Sequence, residues 1–257
     1  MYNKIEEFYI EQIYMNMNNP NKVYNDFRKF AMDRTHASGL LIDDYARKFS
    51  PVAYQNPYVL EQSNMNMTQM DIFSRLMVDR IIFLGQEIND DLANIIVGQM
   101  LWLSHDDPEK AVNIYINSPG GSIAAGWAIQ DAFEMVDLPY ISTIAVGTAA
   151  SMASILLVSG TIGHRYATKR SRILLHQPLG GFGQREQASD MEIAVKEINY
   201  AKRKLYECLS ERTGTPYEKI ERDADRDFWL SAEEAKNYGT LGIIDSILEP
   251  KKREETK

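Results

Sequence analysis

The stretch Val112-Asn113-Ile114-Tyr115-Ile116-Asn117-Ser118-Pro119-Gly120-Gly121 decides the fold class. Apolar and polar residues alternate from Val112 to Asn117, the period of a half-buried strand. Ser118 to Gly121 end that strand, and Ile123 to Val136 take up helical spacing. The same alternation recurs on both sides. Upstream, Arg80 to Gly85 is a β-rich run, and Asp90 to His105 sets Leu92, Ile95, Ile96, Met100 and Leu103 at helical intervals. Downstream, Tyr140 to Val146 reads as a strand that closes in a tight turn, and Met152 to Val158 as a helix. Ile173-Leu174-Leu175 reads as an inner strand stopping at His176, and His164 beside Arg165 as part of a hairpin. Strands alternating with helices predict an α/β fold with right-handed crossovers.

The longest helix starts near Ser189-Asp190-Met191-Glu192, read as a capping box with Ser189 as N-cap. Met191, Ala194, Val195, Ile198, Ala201, Leu205, Cys208 and Leu209 form its apolar stripe, and Gly214 stops it. About 24 residues at 1.5 Å each span roughly 36 Å, enough to project from a small sheet and meet another subunit. A helix packed wholly within one core is the alternative. Thr215-Pro216 opens a further helix through Arg222, and Ser231-Ala232-Glu233-Glu234 is a second capping box.

Composition narrows the function. The 257 residues hold 28 Lys and Arg against 36 Asp and Glu, a net charge of −8 that disfavours a nucleic-acid partner. One cysteine, Cys208, makes no internal disulfide, and four histidines leave little for a zinc site, so no metal is expected. The N-terminus lacks the apolar core of a signal peptide. Leu138 to Gly163 carries no charge, yet its glycine, serine and threonine content suits a buried strand, turn and helix better than a membrane span. These features predict a cytoplasmic, soluble protein. Residues 1–56 are rich in Asn, Tyr and Met, with one weak helical pattern from Ile5 to Met15, and read as an extension rather than a domain.

Three places offer chemistry. Gly120-Gly121, after a strand and before a helix, would let main-chain N–H groups face an anion or oxyanion; a plain tight turn is the alternative. Ser151 stands between a strand and a helix, either as a helix N-cap or as a nucleophile at a strand–turn–helix elbow. His176, at the end of an apolar strand beside Gln177-Pro178-Leu179-Gly180-Gly181, is either a structural histidine or a general base. Among Asp223, Asp225 and Asp227, the last directly precedes Phe228-Trp229-Leu230, where the chain enters apolar surroundings and would bury a carboxylate against a histidine. Spacing alone does not choose among the three.

Four runs, in this order, resemble the ClpP family of ATP-dependent Clp proteases. They are Tyr115 to Gly126 (YINSPGGSIAAG), Gly147 to Leu157 (GTAASMASILL), Leu174 to Gly181 (LLHQPLGG) and Ile220 to Ala235 (IERDADRDFWLSAEEA). The resemblance covers residues 57–248 and implies the ClpP/crotonase fold, built of repeated β-β-α units with a projecting handle helix. It implies Ser151 as nucleophile, His176 as base and Asp227 as orienting acid, with Gly121 and Met152 as oxyanion donors. It also implies two stacked heptameric rings, with Arg226 coupling ring contact to site geometry. Tyr115, Ile144 and Tyr166 match a docking pocket for a hexameric AAA+ unfoldase such as ClpX, ClpA or ClpC. ATP would be used by that partner, leaving this chain without a cofactor, and the substrates would be unfolded proteins. Residues 57–70 match an axial segment, 57–249 the protease domain, 1–56 a pro-segment, and 250–257 form a charged tail. Two departures stand out: the long extension, and an extra residue with Arg185 and Glu186 in the loop Phe182 to Gln187. The rival readings are an acyl-CoA enzyme of the crotonase type and a non-catalytic ring subunit.

Overall fold

A computed structural model describes residues 58–63, 66–180 and 187–249, with side chains from Ile72 onward. The helical pattern from Ile5 to Met15, most of the loop from Phe182 and the tail 250–257 lie outside the described residues. A two-stranded sheet pairs β1 (Tyr58–Ser63) with β2 (Asn66–Asp71). Then follow α1 (Ile72–Val78), β3 (Ile81–Leu84), α2 (Asp90–Asp106), β4 (Val112–Ser118), α3 (Ile123–Met135), β5 (Ile141–Ala150) and α4 (Met152–Val158). The rest comprises β6 (Arg165–Thr168), β7 (Arg172–Leu175), α5 (Ala188–Thr213), α6 (Tyr217–Asp223), β8 (Phe228–Ser231), α7 (Ala232–Lys236) and β9 (Ser246–Leu248).

Seven strands form the main sheet in the order β3-β4-β5-β6-β9, with β7 also on β5 and β8 on β7. Every pair is parallel except β7 with β8. Parallel strands need covered faces, which explains why Ile141 to Ala145 are all buried. Helix α4 is buried at all seven positions, and this apolar density accounts for the uncharged stretch. Among the described residues, no helix is long and apolar enough to cross a membrane.

The unusual element is β5. Its first half pairs with β6 (Thr143 to Ala145 against Arg165 to Ala167) and its second half with β7 (Thr148 to Ala150 against Arg172 to Leu174). Between them the β4–β5 register shifts, and Gly147 takes φ +84. Side chains satisfy the backbone there: Asn117 Oδ1 accepts from the Thr148 N–H at 3.2 Å, and the buried Ser171 hydroxyl donates to the Ala145 carbonyl at 2.8 Å. The expected tight turn after Val146 is therefore a kink within one long strand. The expected hairpin at His164 is absent too, because β6 joins β5 in parallel rather than doubling back.

Two further expectations change. The α5 N-cap is Gln187 with no side-chain cap bond, so Ser189 sits inside the first turn and makes no capping box. The chain enters the helix early, with the Asp190 and Met191 N–H groups both reaching the Gln187 carbonyl. Ile95 drops out of the α2 core stripe and is 57% exposed, while His105 lies in the last helical turn. The second capping box does form, Ser231 and Glu234 bonding reciprocally. Gly214 ends α5 at φ +66, in the left-handed conformation expected of a stop.

Arg165, fully buried on β6, donates to Asp245 Oδ1 at 2.7 Å and to the Arg212 and Leu241 carbonyls, tying β9 and the end of α5 to the sheet. Burial raises the Asp245 carboxyl pKa, but its bonds to Arg165 and to the Gly163 N–H outweigh this and hold it below the ordinary 3.8. A depressed folded-state value adds stability that is complete above the ordinary value and declines as pH falls below it. Asp245→Asn is expected to cost roughly 3–5 kcal/mol at neutral pH, by leaving the guanidinium uncompensated. In chemical denaturation that cost should shrink towards pH 3; an equal cost at both pH values would contradict it.

Candidate active site

The kink in β5 gathers several strand ends. Ala150 pairs with Leu174, so Ser151 stands one step beyond the β5–β7 ladder, its N–H donating to the Leu174 carbonyl at 3.0 Å. Leu175 faces Phe228 in the antiparallel β7–β8 ladder, so the next residues across the strands are His176 and Asp227. The His176 Nδ1 to Asp227 Oδ1 distance is 3.8 Å, close enough for charge attraction and longer than a hydrogen bond. Ser151, His176 and Asp227 all line one cleft of about 370 Å³, together with Gly121 and Met152.

Ser151 has φ 55 and ψ −127, a conformation costing a non-glycine residue of order 1–3 kcal/mol. It precedes α4 but makes no side-chain cap bond, so its hydroxyl is not used to close the helix. Its carbonyl instead accepts from the Ser154 N–H at 2.9 Å and the Ser154 hydroxyl at 2.6 Å. The N-cap alternative accounts for the position of Ser151 and leaves its hydroxyl unexplained.

The glycine pair is more than a turn. Gly120 takes φ +94, and a methyl there would lie 2.6 Å from both the Ala150 carbonyl oxygen and Ser151 Cβ. Gly121 takes φ +147, and a methyl there would lie 2.2 Å from the Ile88 carbonyl oxygen. Bonds from the Ile88 N–H to the Gly120 carbonyl and from the Ser122 N–H to the Ile88 carbonyl, both 2.8 Å, hold the loop. Beneath it, the buried Ser118 hydroxyl donates to the Gln86 carbonyl and accepts from the Gly120 N–H. Among the described residues, neither the Gly121 nor the Met152 N–H meets an acceptor within the chain.

The apolar wall includes Pro119, Ile123, Ile155, Leu205 and Leu209. Leu205 and Leu209, expected partly between subunits, thus belong to the core and cleft of their own chain. Tyr206 beside them is buried; desolvation first, then Glu221, pushes its phenol up to about 12 and keeps it a neutral donor. Burial also raises the Cys208 thiol, which therefore supplies no thiolate at neutral pH. Asp227 departs from expectation, being 68% exposed in the isolated chain. It precedes an edge strand with one partner, so its outer side is open. Asp223 is engaged elsewhere, by Lys219 and the Tyr238 hydroxyl, and Asp225 accepts from Gln177. Gln177 was read only as part of a turn; its place directly after His176 was the available signal. Among the described residues no cluster of His, Cys, Asp or Glu could hold a metal ion.

Tyr115, Ile144 and Tyr166 are register partners across β4, β5 and β6, and Phe83 on β3 continues the row. Tyr115 and Tyr166 are half-buried, Ile144 is buried, and Phe83 is 39% exposed and stacked on Phe73.

An elbow serine, a strand-end histidine and a glycine loop in one cleft are an arrangement suited to serine-hydrolase chemistry. The family model for Clp protease matches residues 63–251, and the chain belongs to the Clp protease family and is a serine peptidase with the ClpP fold. It is 47% identical over 229 residues to the ATP-dependent Clp protease proteolytic subunit of Porphyromonas gingivalis, covering 89% of this chain and all of that protein. Proteins of the same name from Bacteroides fragilis and Bacteroides thetaiotaomicron are each 46% identical over 224 residues, covering 87% of this chain and 98% of theirs. The acyl-CoA reading is thereby set aside.

Gly120→Ala should push Ser151 out of line. A displacement near 1 Å costs about 10²-fold in rate. Hydrolysis of a fluorogenic peptide is expected to fall by at least that order, with a lowered melting temperature because a side chain at φ +94 is strained against main chain; activity within threefold of wild type would contradict the close approach.

Proposed function

We propose that the chain is the proteolytic subunit of an ATP-dependent Clp protease, cutting unfolded polypeptides at the Ser151 cleft. The observation that carries this is the meeting of Ser151, His176 and Asp227 at adjacent strand ends, beside a loop that only glycine can build. Ser151 Oγ attacks the peptide carbonyl while His176 takes its proton. The Gly121 and Met152 N–H groups hold the tetrahedral oxyanion, a type of contact worth about 10²–10³ in rate per donor. His176 then protonates the leaving amine, and water, activated by the same imidazole, releases the acyl group from Ser151. Asp227 orients His176. No metal or organic cofactor takes part in these steps.

ATP is consumed by the partner, a hexameric AAA+ unfoldase, for which the Phe83–Tyr115–Ile144–Tyr166 row is the docking surface. Rings of this chain, two heptamers stacked through α5, enclose the clefts in the cytoplasm. The distal half of α5 supports this: Met191, Ile193, Val195 and Tyr200 are exposed in the isolated chain, whereas Leu205, Tyr206, Cys208 and Leu209 are core. Residues 1–56 are a pro-segment cut between Lys48 and Pro57 by Ser151 of the same or a neighbouring chain, and 57–70 form the axial segment.

Ser151→Ala should abolish peptide hydrolysis with the number of subunits per particle retained, and intact mass spectrometry should show residues 1–56 kept in that variant and lost from wild type. Turnover within tenfold of wild type would contradict the nucleophile, and full-length chains in an active wild-type particle would contradict the processing. Ile193→Ser with Val195→Ser should lower particle mass in dilute sedimentation and leave the monomer folded, because each buried aliphatic side chain contributes about 1.5–3 kcal/mol. An unchanged particle would count against α5 as an interface.

A further inference from the structure

Only two residues, Arg226 and Asp227, separate the β7–β8 ladder from a second attachment of the same loop. On one side Phe228 is paired with Leu175. On the other, the Gln177 N–H donates to the Ala224 carbonyl at 2.7 Å, and the Gln177 carboxamide donates to the Asp225 carbonyl at 2.7 Å. The same Nε2 lies 3.4 Å from Asp225 Oδ1, a much weaker contact. Strict ladder register would set Gln177 opposite Arg226; instead the chain pulls Ala224 and Asp225 in, so the segment between the attachments is short and taut. Ala224 is itself buried and fixed, its N–H on the Ile220 carbonyl at 2.8 Å and its carbonyl within 3.4 Å of the Tyr206 hydroxyl. Asp227 is 68% exposed, and among the described residues its charged neighbour is His176 at 3.8 Å.

We propose that Gln177 is a positioning residue whose carboxamide, by tying down the Asp225 carbonyl, sets how far Asp227 reaches toward His176. This deepens the proposed function and rests on the reading of Ser151, His176 and Asp227 as one catalytic unit. Gln177 follows His176 directly, so one short segment carries the imidazole and the clamp on its orienting carboxylate. The donor is what the clamp needs. An acceptor in its place would meet the lone pairs of the Asp225 carbonyl and the negative charge of the Asp225 carboxylate. Gln177 also borders the cleft, so a contact with substrate is the competing role.

The two roles separate in steady-state kinetics. A clamp on the catalytic unit acts on kcat, whereas a substrate contact made equally in the ground and transition states acts on KM. The test uses the assembled particle obtained by expressing the whole chain, with a fluorogenic peptide, and compares Gln177→Met, Gln177→Glu and Gln177→Asn with wild type and Ser151→Ala. Gln177→Met keeps the length and loses the donor, Gln177→Glu adds charge, and Gln177→Asn keeps a donor too short to reach. All three should lower kcat by about tenfold or more with KM within twofold, Gln177→Glu most, at unchanged particle mass. If one variant fails to assemble, the other two decide. A raised KM with kcat unchanged, or kcat within twofold of wild type, would overturn the inference while inactive Ser151→Ala left the catalytic reading standing. Activity retained by Ser151→Ala would overturn that reading instead.

Discussion

Ser151 occupies a backbone conformation that a side-chain-bearing residue avoids, and the surrounding structure holds it there. Its N–H is drawn to Leu174 on β7, its carbonyl is taken by the backbone and hydroxyl of Ser154 in α4, and Gly120 closes against its Cβ. Three separate elements thus oppose a strain of order 1–3 kcal/mol. The result is a hydroxyl presented to the cleft instead of folded back on the helix. The glycines follow from this: a methyl at residue 120 would meet the serine itself, and one at residue 121 would meet Ile88.

The kink in β5 is the second requirement. A straight strand would keep one neighbour along its length. By shifting register at Gly147, β5 gives its first half to β6 and its second to β7, which brings the end of β7 and its partner β8 next to Ser151. Asn117 and Ser171 satisfy the main-chain groups that the kink exposes, so the break leaves no buried polar orphan among them. The row Phe83, Tyr115, Ile144 and Tyr166 sits on the regular half of the sheet, where register is uninterrupted. The proposed catalytic residues lie on the kinked half and the proposed partner surface on the straight one.

Much of this was legible in the sequence, for reasons that differ by element. Strand β4 shows itself by alternation, the pattern that periodicity detects; α4 is buried at all seven positions, and its bounds follow instead from the apolar run that lies between Ser151 and Ser159-Gly160. The kink was not legible: Gly147 signals a turn as readily as a bulge, and only pairing with two partners distinguishes them. Ser189 failed as a cap because the preceding backbone, not the side-chain motif, determines where a helix begins. The stripe of Ile198, Leu205 and Leu209 is expected partly between subunits because a row of apolar residues does not reveal which half of a 26-residue helix lies on its own core; Leu205 and Leu209 lie on theirs. The site residues came partly from their strand-end positions and partly from the four matching runs. The choice of Asp227 among three aspartates needed the resemblance, and its geometric basis is the register of an edge strand.

The central claim is that the Ser151 hydroxyl is the activated nucleophile and depends on its neighbours in the cleft. The most direct measurement is peptide mapping after reaction with a fluorophosphonate, comparing wild-type protein with His176→Ala. A single adduct on the peptide bearing Ser151, strongly slowed in His176→Ala, is the predicted result. An adduct on a different residue such as Ser154, or labelling of Ser151 at an unchanged rate without the imidazole, would contradict the account.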